Sequence, residues 1–323
     1  GPYKTTPARD NIPKDDEWNA TLVRETAHLL ADVLPLLKDL GLLGVSLLDA
    51  LPIRMDDFPP GSMFCPIVDA VRTALLAEEL LPADDGTFVS ARYAKLASAD
   101  WLRKLLQPEY LRQLFTADTR LKWVRGEITE RARHEVWKYI RDELNVEEVT
   151  PESFARKLDK QFLEQQSDEW FIDFYTYLTD QEALWRAPRW TGDSPGVLRS
   201  RPLLRLADNS LALPFNPQGL PNAYLPPEYE ATVPVVKRSI AAHAKARLFL
   251  AGKLHLREPD EIAEVIENIL PKYHKRERET IDDEVYQADL KAISRALKTD
   301  SQQKKVLVVD AAQKTPFVKA QNQ

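Results

Sequence analysis

Residues 150–178, TPESFARKLDKQFLEQQSDEWFIDFYTYL, carry the clearest structural signal in this sequence. Thr150 is a typical helix N-cap followed by Pro151 in the first turn, and Ser167 occupies the same kind of position before the second half. The stretch therefore predicts two successive amphipathic helices. The large apolar side chains that follow helical spacing are Phe154, Leu158, Phe162, Phe171, Phe174, Tyr175 and Leu178.

Three other stretches show the same periodicity. We expect helices over residues 17–40, about 63–80 and 280–297, with a kink or break in the first at Pro35. The first helix resembles a simple amphipathic helix with one apolar face. The residues that define this face are Leu22, Thr26, Leu29, Leu30, Val33 and Leu37.

Short β-rich passages follow the helices at residues 81–97, 203–215 and 305–319. Each contains a polar turn between two runs of apolar or β-branched residues, which is typical of a small hairpin. The sequence therefore predicts an α+β fold that is predominantly α-helical and multi-lobed. Its helical units are each followed by a small β-hairpin, a pattern consistent with a degenerate repeat.

Proline-rich loops and helix starts suggest the domain boundaries. Residues 1–16 form a polar strap with prolines on both sides of Arg9, and residues 17–107 form a helical lobe with a small hairpin. We expect a helical middle lobe over 108–228, with its hairpin near 203–215. Residues 229–323 then form a C-terminal helical lobe that ends in a hairpin.

The composition excludes several classes of protein. The 323 residues carry a net charge of −6, contain a single cysteine, Cys65, and include no apolar run long enough to span a bilayer. No internal disulfide can form, and we expect cytoplasmic residence without membrane association. The five histidines lack metal-ligand spacing, and no phosphate-binding glycine loop or nucleophile elbow is found, so catalysis is not predicted.

Two groups of basic residues interleaved with tryptophan point to a second interpretation. Arginine beside aromatic side chains can contact phosphates and stack on bases, so these groups are candidates for a DNA or RNA surface. Solvated helix faces paired with nearby acids are the competing explanation. The candidate residues are Arg120, Lys122, Arg125, Arg131, Arg186, Arg189, Trp190, Arg199 and Arg201.

Several phrases, spread over nearly the whole chain, resemble the bacterial sacsin-like proteins, which carry an Hsp90-type (GHKL) ATPase domain near the N-terminus. The phrases are PYKTTPARDNIPKDDEWNATLV (2–23), LLPADDGTFVSARYAKLA (80–97), VEEVTPESFARKLDKQFLEQQSDEWFIDFYTYL (146–178), RSRPLLRLADNSLALPF (199–215), PNAYLPPE (221–228) and EVIENILPKY (264–273). The magnesium-holding Asn helix and the DxGxG loop of that ATPase are missing here. The chain is therefore similar to the region that follows the ATPase domain.

This resemblance implies a non-catalytic transducer region that relays ATP-driven motion and binds a protein partner or client, in a family suspected of roles in phage defence. ATP and magnesium are then expected only in the upstream domain of the same polypeptide, and this chain needs no cofactor of its own. In such ATPases a basic residue after the ATP site senses the γ-phosphate. The strap residues Lys4 and Arg9 are the candidates for that role.

Overall fold

The computed structural model describes residues 3–9, 11–187, 194–229, 231, 233–273 and 281–318. The chain divides into two compact units, Gly1–Lys157 (unit 1) and Leu158–Gln323 (unit 2). Residues 108–228, expected to form a middle lobe, are therefore shared between the two units. Helices dominate both units and every strand is short, which confirms the predominantly helical α+β class.

Unit 1 is built from helices and very short strands. Its helix α6 continues directly into a π-helical turn, Tyr139–Glu143. The elements in chain order are α1 (Glu17–Asp39), α2 (Val45–Ala50), α3 (Cys65–Ala77), β1 (Leu81–Pro82), β2 (Phe88–Val89), β3 (Ala94–Ala97), α4 (Asp100–Leu105), α5 (Pro108–Phe115), β4 (Lys122–Trp123), α6 (His134–Lys138), β5 (Glu148–Val149) and α7 (Pro151–Lys157).

Helix α1 packs along α3, and both contribute to the core of unit 1. The carboxylate of Asp16 caps α1 by accepting a hydrogen bond from the Asn19 N–H at 3.1 Å. The helix continues through Pro35 rather than breaking there. Buried Leu34 and half-buried Leu37 hold it against the core on both sides of the proline, which offsets the hydrogen bond that proline cannot make.

A three-stranded parallel sheet lies in unit 1, with the strand order β4-β3-β5. Ala94 pairs with Lys122 on one side of β3, and Leu96 pairs with Glu148 on the other. These strands are two to four residues long and lie far apart in the sequence. Their pairing therefore leaves no local periodicity, and the sequence patterns did not predict it.

Unit 2 contains eight described α-helices and one hairpin. Helices α12 and α13 each continue into a π-helical turn, Leu248–Lys253 and Val265–Ile269. The elements in chain order are α8 (Lys160–Glu164), α9 (Asp168–Leu178), α10 (Glu182–Trp185), β6 (Leu204–Arg205), β7 (Leu211–Ala212), α11 (Arg238–Ala241), α12 (Ala244–Arg247), α13 (Glu261–Glu264), α14 (Asp283–Leu297) and α15 (Gln302–Gln313).

Two expectations for the helices are corrected by the structure. The predicted helix that begins at Thr150 is divided at residues 158–159, because the Asp159 carboxylate accepts the Phe162 N–H at 2.7 Å and starts α8 as a separate helix. The passage 305–319 is not a hairpin, since α15 covers most of it. Ser301 caps α15 and Val308 is buried, so capping and packing override the β-propensity of its valines.

The two hairpins that do form share one turn geometry. In unit 1, Asp85 accepts hydrogen bonds from the N–H (3.0 Å) and the hydroxyl of Thr87. In unit 2, Asp208 accepts hydrogen bonds from the N–H (2.9 Å) and the hydroxyl of Ser210. In each unit, a residue next to the hairpin then forms an antiparallel β-bridge with a later segment. Ala83 pairs with Val124 in unit 1, and Leu206 pairs with Val236 in unit 2.

The helices that follow these bridges end in the same way. The Leu144 N–H bonds to the Tyr139 carbonyl at 3.1 Å, and the Leu254 N–H bonds to the Phe249 carbonyl at 3.0 Å. The next residues, Asn145 (φ +53°) and His255 (φ +59°), adopt the left-handed conformation and turn the chain away. The two units thus repeat one backbone arrangement in the same order. This recurrence has two members, in which the hairpin precedes the helix, and it differs from the expected threefold pattern of helices followed by a hairpin.

Candidate functional site

The polar strap is attached to the first turn of α1. The side-chain amide of Asn19, which is fully buried, accepts the Lys4 N–H at 2.8 Å and donates to the Lys4 carbonyl at 2.9 Å and the Pro13 carbonyl at 3.3 Å. The Lys4 ammonium lies 3.2 Å from the Asp16 carboxylate. The strap therefore has ordering contacts of its own within this chain, which the sequence patterns did not predict.

Arg9 lies at the tip of the strap. The Arg9 N–H donates to the Thr6 carbonyl at 2.8 Å, and the Thr6 N–H donates to the Asn11 carbonyl at 3.0 Å, so the backbone of Thr6 is bonded to both Arg9 and Asn11. Arg9 is exposed and has a φ of +59°, a conformation that costs energy for a non-glycine residue. The arginine is thus presented outward at the point where the strap reverses.

The candidate basic residues of unit 1 are mostly paired with acids. Arg120 donates to both oxygens of Asp118, at 3.0 and 2.8 Å, and its guanidinium lies 3.7 Å from the centre of the Tyr93 ring. Lys122 is 3.3 Å from Asp85. Arg125 is 3.9 Å from Glu127 at the exposed surface, and Arg131 is exposed. This pairing leaves little uncompensated positive charge for a phosphate backbone.

The candidate residues of unit 2 are also engaged with the protein. The Arg199 guanidinium lies 3.7 Å from the centre of the Phe215 ring, and partial burial lowers its pKa. Arg186 follows α10 directly and is half-buried, as is Arg201 at the end of a 3₁₀ turn. Arg189 and Trp190 lie outside the described residues. The structure therefore does not place the described members, Arg186, Arg199 and Arg201, on one open basic face.

A charged cleft of about 450 Å³ lies beside the hairpin of unit 1. At its centre, Arg103 pairs with Asp100 and lies 3.6 Å from Asp84. The guanidinium rests directly on Gly126, where an added Cβ would lie 2.5 Å from Nη2. Partial burial raises the pKa of Asp85, but hydrogen bonds from Thr87 and the charge of Lys122 outweigh this effect and lower it overall. The charged side chains of this cleft are therefore mainly ion-paired with one another.

The described part of the chain contains neither a metal-binding cluster nor a membrane-spanning helix. No group of three or more His, Cys, Asp or Glu side chains there is arranged to hold a metal ion. No described helix has both the length and the apolar character required to cross a bilayer.

Helix α1 carries a surface that the sequence patterns did not separate from the core. Its inner stripe, which faces the core of unit 1, consists of Val23, Ala27, Leu30, Leu34 and Leu37. Its outer stripe consists of Leu22, Thr26, Leu29, Val33, Leu36 and the C-cap residue Leu40. Leu22 and Val33 are half-buried, and the other members are exposed.

The outer stripe is the candidate functional surface. Leu29, Leu36 and Leu40 are 64%, 54% and 62% exposed, and Trp18 extends the stripe by one turn at 46% exposure. The expected face with Leu29, Leu30 and Leu37 together is therefore corrected, because Leu30 and Leu37 belong to the inner stripe. The two stripes run side by side along the helix, about 100° apart around its axis, and the buried residues Val23, Ala27 and Leu34 all lie in the inner one. Each stripe follows alternating steps of four and three residues, and this spacing was the sequence signal that could have separated the two stripes.

The arrangement of this surface is suited to binding and has no catalytic group within it. Its side chains are aliphatic apart from the Thr26 hydroxyl, which donates to the Leu22 carbonyl at 2.8 Å. A group of exposed leucines on one helix face marks an interaction surface, because single exposed leucines are common but several on the same face are not. Searches against protein-family models, curated proteins and solved structures each returned no match.

Proposed function

We propose that this chain is the non-catalytic middle region of a sacsin-like, Hsp90-type ATPase, which relays nucleotide-driven motion and binds a protein partner. The single observation that carries the binding part is the outer stripe of α1, in which Leu29, Leu36 and Leu40 are exposed on one side of the helix. The family part rests on the sequence phrases given above. Cytoplasmic residence and a role in phage defence belong to the same proposal.

The relay part is supported by the attachment of the strap. Arg9 is presented at the tip of the turn, and Asn19 joins residues 4 and 13 of the strap to the first turn of α1 by three hydrogen bonds. A displacement of the strap is therefore transmitted to the helix that carries the outer stripe. A γ-phosphate near Arg9 would favour one strap position through a charge-assisted contact, and its loss would remove that preference.

The relay is tested in the polypeptide in which an ATPase domain precedes this chain. We expect Arg9→Ala to lower ATP turnover by at least about tenfold, equivalent to about 1.4 kcal/mol of activation free energy. Lys14→Ala removes an exposed positive charge from the same strap and should leave turnover unchanged. Arg9→Lys separates charge from geometry, because lysine keeps the charge but loses the planar fork. Parental turnover in Arg9→Ala would contradict the relay.

A second measurement, on this chain alone, distinguishes the proposed protein-binding function from the rival nucleic-acid interpretation. We expect no retention of a DNA duplex in an electrophoretic shift assay at low salt, because Arg120 and Lys122 are paired with acids and Arg199 is packed on an aromatic ring. Phosphate contacts make affinity fall steeply with salt. Retention that disappears as the salt concentration rises would therefore favour the nucleic-acid module over the protein-binding one.

A further inference from the structure

The outer stripe has the spacing of a helix-pairing seam. Its residues alternate in steps of four and three, so Leu22, Leu29 and Leu36 recur every seven residues, as do Thr26, Val33 and Leu40. This is the heptad pattern with which one helix packs its side chains between those of another. At about 1.5 Å per residue, the 18 steps from Leu22 to Leu40 span about 27 Å, enough for more than two heptads of a partner helix.

The charges beside this seam are all of one sign. Glu25, Asp32 and Asp39 lie along one edge, also at intervals of seven, and all three are exposed. None of them forms an ion pair or a side-chain hydrogen bond with any other described residue. The opposite edge of the seam is the inner stripe, which is occupied by the core of unit 1. A partner helix therefore meets aliphatic side chains in the centre and carboxylates along its only open edge.

A second copy of this chain does not fit that edge. In an antiparallel pair of α1 helices, the acidic edges would face each other, and like charges at these positions disfavour pairing. In a parallel pair, the acidic edge would face the inner stripe of the other copy, which already packs on its own α3. Complementarity instead requires a partner that brings positive charge to the acidic edge.

We infer that the outer stripe binds a single amphipathic helix of another protein, whose aliphatic heptad seam is flanked by lysine or arginine. This inference deepens the proposed protein-binding function and rests on it. The aliphatic seam supplies the contact area, and the acidic edge at residues 25, 32 and 39 selects the basic partner and sets its orientation.

The probes are two synthetic three-heptad peptides with identical leucine and valine seams, one flanked by lysine and the other by glutamate. Binding of each fluorescent peptide to the full chain is measured by anisotropy at low salt. We expect the lysine-flanked peptide to bind at least about tenfold more tightly. This preference should shrink at high salt because exposed charges are screened.

Variants of exposed residues test both parts of the surface. Leu29→Gln combined with Leu36→Gln should lower the affinity for the lysine-flanked peptide at least about tenfold. Leu220→Gln in unit 2 is the matched control, because Leu220 is also an exposed leucine, at 61% exposure. This variant should bind the lysine-flanked peptide with unchanged affinity. Replacing Glu25, Asp32 and Asp39 together by lysine should reverse the preference in favour of the glutamate-flanked peptide.

Three results would overturn the inference. Equal affinity for the two peptides would remove the charge selection while leaving the protein-binding function in place. No binding of either peptide at about 100 μM, a very weak affinity for a seam of this length, would remove the seam itself. A dimer in sedimentation velocity that Leu29→Gln with Leu36→Gln dissociates would make a second copy the occupant. The Arg9 relay is tested separately by ATP turnover. If Arg9→Ala kept parental turnover, the expected peptide preference, peptide affinity and oligomeric state of this chain would not change.

Discussion

Helices α1 and α9 are both amphipathic, but they use their apolar side chains differently. Helix α9 has no exposed large apolar side chain, and Trp170, Phe171, Phe174, Tyr175 and Leu178 are all buried within 11 residues. Helix α1 has 23 residues, of which four are buried, and it leaves Leu29 and Leu36 of its outer stripe exposed. The comparison indicates that α9 uses its large apolar side chains to stabilise unit 2, whereas α1 buries one stripe and leaves exposed leucines for the proposed binding.

The largest expected effect is the loss of an aromatic ring that packs on α9. Phe162 is 1% exposed, and its ring centre lies 5.6 Å from that of Trp170 in an edge-on contact. We expect Phe162→Ala to lower the free energy of unfolding by about 3–5 kcal/mol, because it opens a cavity in a packed aromatic cluster. Chemical denaturation measures this value. A loss below about 1 kcal/mol would show that the contact between α8 and α9 contributes little.

The next effect concerns the buried arginine that covers α9. The Arg205 guanidinium donates to the carbonyls of Leu163 and Gln166, at 3.1 and 2.8 Å, and lies over the Phe171 ring. We expect Arg205→Met to cost about 1–3 kcal/mol in denaturant unfolding, because buried carbonyls lose their donors.

Arg120→Met is the surface control for this measurement, and it should cost less than about 0.5 kcal/mol. Equal losses for the two variants would mean that Arg205 contributes no more to stability than an exposed arginine does.

A third, smaller effect tests whether the basic residues of unit 1 are neutralised. Hydrogen bonds from the Arg120 side chain and backbone lower the pKa of Asp118 to about 2. Since the folded-state pKa is depressed, the ion pair contributes above the unfolded value of about 3.9 and its contribution is lost as the pH falls from there through 2. Carboxyl NMR should show a midpoint near 2 that moves upward in Arg120→Gln. An unchanged midpoint would mean that the pair does not form.

Local signals in the sequence were sufficient for some elements. The hairpins at 81–89 and 204–212 depend on an Asp that accepts hydrogen bonds from a Thr or Ser two residues later, and α9 depends on its Ser167 cap and aromatic spacing. These interactions lie within a few residues of one another, so a single sequence contains them.

The remaining features depend on contacts between distant segments. The parallel pairing of β3 with β4 and β5 has no local pattern, and the valines of α15 favour a strand until their packing is known. For α1, the sequence contained both stripes, but only the position of α3 decides which one is buried. The candidate surface could therefore not be identified from periodicity alone.

The most direct test of the central claim compares neighbouring leucines on α1. Leu34, in the inner stripe, is fully buried, and Leu36, in the outer stripe, is 54% exposed. We expect Leu34→Ala to lower the free energy of unfolding by about 2–5 kcal/mol. The free energy of unfolding of Leu36→Ala should remain within about 0.5 kcal/mol of that of the parent chain. The same variant should bind the lysine-flanked peptide less tightly. A loss above about 2 kcal/mol for Leu36→Ala, with peptide binding unchanged, would make the outer stripe part of the core and contradict the account.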